Sequence, residues 1–174
     1  MPLHLKDYLS LANAGCGFLA LAFVIPFGYL ASVALVVLAV VFDFLDGLAA
    51  RKKGVQDEFG RQLDSLADAV SFGVVPPALL LISKFGFAFE FVAEETSFKF
   101  YATLLGGIFF VSAAVIRLAK FNVQKEKGVY YGLPSPFAAL LFLAFGWFSF
   151  EVGIFALFAL GVLMLYPLNF KKVF

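Results

Sequence analysis

Residues 43–73 read DFLDGLAARKKGVQDEFGRQLDSLADAVSFG, and four aspartates within them decide how the chain must fold. Asp43 and Asp46 are three apart; Asp64 and Asp68 are four apart. Residues at these spacings share one face of an α-helix. The polar stretch 52–58 between the pairs is short, which predicts two antiparallel neighbouring helices. On that arrangement the four carboxylates meet in one place.

Working outward, the flanks of this stretch are apolar. No Asp, Glu, Lys, Arg or His occurs across residues 8–42. A membrane span takes about 20 apolar residues, so this run holds two spans, divided at Pro26-Phe27-Gly28. The spans are predicted at residues 9–25, 30–50, 59–83, 100–118, 134–150 and 152–168. Pro76-Pro77 predicts a kink in the third, whose freed carbonyls need other partners, and Pro134 suits a first helical turn. The joint at residues 149–151 is tight. The preceding piece, residues 1–8, reads either as a short interfacial amphipathic helix or as a frayed end. It carries His4, Lys6 and Asp7 rather than a basic cluster, so a cleaved signal is not expected.

Composition agrees. Of 174 residues, 63% are hydrophobic and 14% charged, against roughly 45–50% and about 25% in soluble domains. The net charge of +1 gives no basic field for nucleic acid. Cys16 is the single cysteine, which excludes an internal disulfide, and it reads as a small buried hydrophobe. With six spans, eleven of the thirteen Lys and Arg residues fall on one side, leaving Lys84 and Lys99 on the other. The positive-inside rule makes the first side cytoplasmic. The expected fold is therefore an all-α integral membrane protein of six transmembrane helices, a single domain over 1–174, both termini cytoplasmic, in the cell membrane.

An acidic residue at a helix centre costs about 2.5–3.5 kcal/mol on insertion scales. Close carboxylates also cannot all ionise without compensation. Shared protons or bound cations would both relieve them. The basic residue that the D-x2-D-G-x2-A-R part of the motif supplies is Arg51, and four carboxylates against it favour cations. Oxygen ligands suit Mg²⁺ or Mn²⁺, and a pair of such ions can clamp an in-line displacement at phosphorus. Gly47 and Ala50 lie on or beside the aspartate face and Gly60 opens the next helix; their small size leaves room for a nucleotide. Arg51 can reach phosphate. Asp68 lies deepest from the loop and could accept a proton. On spacing alone, ion or proton transport along intramembrane aspartates is an alternative, although clustering at one membrane face is poor design for a conduit.

The pattern D-x2-D-G-x2-A-R-x8-G-x3-D-x3-D, here Asp43, Asp46, Gly47, Ala50, Arg51, Gly60, Asp64 and Asp68, resembles the signature of the CDP-alcohol phosphotransferase family at all eight positions. Six spans and the chain length are similar to that family too. The resemblance implies that Asp43, Asp46 and Asp64 bind the metal holding the CDP pyrophosphate. Asp64 and Asp68 would face a second metal or the acceptor, with Asp68 the general base. Gly47, Ala50, Arg51 and Gly60 would shape the nucleotide site, and the protein would be a homodimer.

Three further stretches bear on the acceptor: Ser71-Phe72-Gly73, Arg117-Leu118-Ala119-Lys120-Phe121-Asn122 and Gly132-Leu133-Pro134-Ser135-Pro136. They resemble the phosphatidylserine synthase branch of the family, with Lys120 standing where a second arginine is expected. The resemblance implies transfer of a phosphatidyl or archaetidyl group from CDP-diacylglycerol or CDP-archaeol to L-serine, releasing CMP. Arg117 could take the serine carboxylate in a bidentate grip, an aspartate or Asn122 the ammonium, with Ser71 and Lys120 nearby. Inositol phosphate or glycerol phosphate is the alternative acceptor. Asn13, in the first span, reads equally as a helix–helix hydrogen bond or a substrate contact.

Overall fold

The computed structural model describes residues 3–53, 58–86, 94–123, 129–130, 132–146, 148–166 and 170–171. Helix α1 covers Leu5–Phe27 and α2 Tyr29–Lys53, with Gly28 alone between them at φ +83°. That left-handed angle suits glycine and lets α2 fold straight back along α1. Among the described residues ahead of Leu9, those from Leu5 on are helical rather than frayed. Leu5 to Tyr8 form the first turn of α1, because the His4 backbone N–H donates to Asp7 Oδ2 at 2.7 Å and closes a cap. Asp7 is fully buried there.

Helix α3 (Glu58–Asp68) continues through a π-helical turn, Ala69–Val74, into α4 (Val75–Phe85). The three make one rod of 28 residues. The expected break at Pro76-Pro77 takes this form. Proline lacks the N–H, and its ring crowds the carbonyl four residues back. The turn before the prolines widens instead, and the Val75 N–H reaches Val70 O, five residues away. Asp68 is thus the last residue before the widened turn.

Helix α5 spans Glu94–Val123, 30 residues, and carries Arg117, Lys120 and Asn122 within its last two turns, so it runs past the predicted end at 118. Helices α6 (Ser135–Gly146) and α7 (Phe150–Leu165) follow, α7 capped by Ser149, whose hydroxyl oxygen accepts from the Val152 N–H at 3.2 Å. Among the described residues, four stretches are long and apolar enough to cross a membrane: Leu5–Phe27, Tyr29–Ala49, Glu58–Phe85 and Ser97–Val123. With 12 and 16 residues, α6 and α7 reach about 18 and about 24 Å, short of the roughly 30 Å hydrocarbon layer.

No strand is expected in an all-α chain, yet Val129–Tyr130 (β1) pairs antiparallel with Phe170–Lys171 (β2). This pairing leads into a close contact. Gly132, at φ +74°, lies against the Met164 carbonyl so tightly that a Cβ has no room. The next residue, Leu133, donates its N–H to Leu163 O at 3.0 Å. The chain entering α6 is thereby fastened to the end of α7.

Packing has the polarity a bilayer imposes. The outer faces show large apolar side chains, among them Phe18, Leu30, Phe98, Leu105, Phe137 and Phe155. The interior combines Phe72, Phe110, Phe142, Leu79 and Leu157 with small residues such as Ala20, Ala113 and Ala138, and it holds Asn13, Ser71, Asp46 and Asp68. Small residues let membrane helices approach, and interior polar groups bond across them. This is a multi-pass membrane protein.

Candidate active site

Helical spacing does locally what the sequence predicts. Asp43 and Asp46 stand on α2, Asp64 and Asp68 on α3. Carboxylate oxygens of Asp43, Asp64 and Asp68 lie within 4.8 Å of one another. Asp46 is buried beside them, near enough to Asp43 and Asp64 to interact with both electrostatically. All four carboxylates therefore belong to one cluster between two adjacent helices.

Helix α1 supplies the framework. Its inward face carries Ser10, Asn13 and Gly17 at successive turns. Ser10 Oγ donates to Asp46 Oδ2 at 2.8 Å, and Asn13 Nδ2 donates to Asp68 Oδ1 at 3.0 Å. Ser71 Oγ donates to the Asn13 carbonyl at 2.9 Å. Gly17 makes that contact possible, since a Cβ on it would stand 2.6 Å from Ser71 Oγ. Ser71 is thus fully buried with its proton given to the α1 backbone, a contact between two helices. Asn13 makes the helix–helix bond that its sequence position left open.

On the other side stands α5. The Arg117 guanidinium is near enough to Asp43 and Asp68 to interact with both electrostatically. Its Nη1 donates to Ser135 Oγ at 2.6 Å, while its Nε is buried with no hydrogen-bond partner. Asn122 Oδ1 accepts from Ser65 Oγ at 3.1 Å, so its carbonyl turns toward α3. Lys120 is exposed. Lys6 acts electrostatically on Asp46 and Asp64. No pattern in the sequence singled out Lys6, Ser10 or Ser65 for the site, whereas Ser135 stands in the 132–136 stretch already tied to the acceptor. Ser10 had one signal available, since it shares a helix face with Asn13 in an otherwise apolar span.

Gly47 borders open space: a Cβ there would meet nothing within 4 Å. Gly60 is buried in the first turn of α3. Ala50 and Arg51 lie on the last turns of α2, but their side chains fall outside the described residues.

The donor set fits a hard divalent cation. Three carboxylate oxygens converge, and Asp64 Oδ1 is buried without a hydrogen-bond partner. A buried acceptor left unpaired costs about 1–3 kcal/mol, and more when charged. Convergent oxygens are what Mg²⁺-type ions take as ligands.

Fold and site together define a class: a multi-pass membrane protein with an acidic, metal-competent cluster held between helices and flanked by a cation. The chain belongs to the CDP-alcohol phosphatidyltransferase family, whose pattern it matches over residues 3–168. Archaetidylserine synthase of Methanothermobacter thermautotrophicus is 35% identical over 175 residues, covering 97% of this chain and 70% of that one. CDP-diacylglycerol–serine O-phosphatidyltransferase of Methanocaldococcus jannaschii is 33% identical over 170 residues, covering 97% and 74%. The protein of that name from Bacillus subtilis is 30% identical over 138 residues, covering 79% and 72%.

Proposed function

We propose that this protein is a phospholipid-synthesising transferase that moves a phosphatidyl-type group from a CDP-linked lipid to the hydroxyl of L-serine and releases CMP. The observation that carries the reading is the convergence of Asp43, Asp64 and Asp68 from two helices, with Arg117 beside them. The names of the relatives support serine as the acceptor.

Asp43, Asp46, Asp64 and Asp68 would hold the divalent metal, read here as two ions of Mg²⁺ or Mn²⁺. Such ions supply charge neutralisation for the pyrophosphate and its leaving group. Around them the chain's own residues do the positioning. Asn13 fixes one oxygen of Asp68. The other oxygen takes the proton of the serine hydroxyl as that oxygen attacks phosphorus and the bond to CMP breaks. Arg117 grips the serine carboxylate. The open side of Gly47 receives the nucleotide, with Ala50, Arg51 and Gly60 around it. The lipid tails are diacylglycerol or archaeol and enter laterally between helices. The protein carries six spans with both termini and the active site toward the cytoplasm of the cell membrane, and works as a homodimer.

The test is an acceptor panel on purified protein with CDP-diacylglycerol and Mg²⁺ or Mn²⁺, scoring CMP release. Rapid release with serine, and little with inositol, inositol phosphate or glycerol phosphate, is expected. Preference for a phosphorylated acceptor overturns serine. Ion flux in liposomes without any CMP release overturns the enzyme reading in favour of transport.

A further inference from the structure

Arg117 offers five N–H donors in a rigid fork, and the contacts of that fork are uneven. Nη1 is held at 2.6 Å by Ser135 Oγ. Nε is buried and has no hydrogen-bond partner. Ser135 is itself fully buried in the first turn of α6, between Pro134 and Pro136. The segment that delivers it is fastened twice to the end of α7, by Gly132 against the Met164 carbonyl and by Leu133 N–H to Leu163 O. Ser135 is therefore a fixed point, whereas a free arginine side chain has many rotamers to lose. The guanidinium also abuts the first turn of α6, where the helix dipole is positive. A cation there is unfavourable alone and favourable once it receives an anion.

We propose that Ser135 is a positioning residue for the acceptor: it holds one arm of the Arg117 fork so that the Nε edge faces the aspartate cluster, ready for the carboxylate of serine. This rests on the reading of Arg117 as the carboxylate anchor. Ser135 does not touch the reacting atoms. It determines which edge of Arg117 does the binding, and so contributes to selection of an amino-acid acceptor over one without a carboxylate.

Steady-state CMP release on the full-length protein tests this, with four proteins compared: parent, Ser135→Ala, Arg117→Lys (which keeps the charge but loses the fork) and the double variant. In Ser135→Ala the KM for serine is expected to rise about tenfold, the scale of one hydrogen bond to a charged group. The KM for CDP-diacylglycerol and kcat at saturating serine should stay within about threefold, a spread well inside one such bond. In the Arg117→Lys background the serine substitution should add almost nothing, because the two act as one unit. If Arg117→Lys raises the serine KM but Ser135→Ala does not, the positioning role is wrong. A rise in both KM values together with a lower thermal midpoint, or full additivity in the double variant, also overturns it. An unchanged serine KM in Arg117→Lys removes the anchor reading itself.

Discussion

Asn13 on α1 donates its side-chain amide to Oδ1 of Asp68 on α3 at 3.0 Å, and both residues are buried. The bond joins positions 55 apart in sequence. One carboxylate oxygen is thereby oriented by a neutral donor. A lone Asp68 in an apolar interior would have neither fixed geometry nor compensation for its burial.

Asp68→Asn is expected to abolish transfer while leaving the protein folded and able to bind CDP-lipid. An amide keeps the shape of the side chain but cannot take the acceptor's proton. CMP release and binding of CDP-diacylglycerol, measured side by side, check this. Full turnover in the variant would remove Asp68 from the mechanism.

Asn13→Ala should lower kcat by about ten- to a hundredfold, the range seen when an outer-shell partner of a metal-site carboxylate is lost. The KM for serine should change little, because the Asn13 amide is bonded to Asp68 and not to Arg117, the carboxylate anchor. A variant that instead loses only serine affinity would reassign Asn13 to substrate binding.

Two glycines on the same helix should respond in opposite directions. Gly17→Ala drives a Cβ to 2.6 Å from Ser71 Oγ and 3.0 Å from its Cα, an overpacking of about 1–3 kcal/mol. Gly15→Ala meets nothing within 4 Å and gains up to about 1 kcal/mol of helix propensity. Thermal unfolding in detergent should show a lower midpoint for the first and an equal or higher one for the second. Equal shifts would mean that α1 and the π-helical turn are not in close contact.

Removal of divalent metal by a chelator should stop CMP release, and added Mg²⁺ or Mn²⁺ should restore it. Asp43→Asn and Asp64→Asn should each demand far more metal for the same rate, as loss of one charged oxygen ligand weakens a hard-ion site. Metal titration of the rate reads this directly. Activity that survives chelation would leave the carboxylate cluster needing another role.

Much of this site is legible in the chain because helices convert spacing into geometry. Aspartates three and four apart must share a face, and two such pairs flanking a short polar stretch must stand on neighbouring helices. The turn at Gly28 and the local disturbance at Pro76-Pro77 follow from backbone chemistry in the same way. Other features are not local. Nothing in the spacing of Ser10 says that it meets Asp46, 36 residues on. Ser71 follows Asp68 closely in sequence, yet it lies within the widened turn and bonds to the α1 backbone. The pairing of β1 with β2 is too short to leave any periodic trace.

The sequence by itself determined the solvent of this protein, the helices that carry its acids and the chemistry those acids can support. Each of these depends on composition or on neighbours within one or two turns. Only the tertiary structure decided which oxygen of Asp68 is held, which arm of Arg117 is free and that Ser135 stands behind it. Those choices depend on how far each helix is rotated and at what depth it crosses its neighbour. Close packing at points such as Gly17 on Ser71 and Gly132 on Met164 fixes that rotation and depth, and no single helix contains the information.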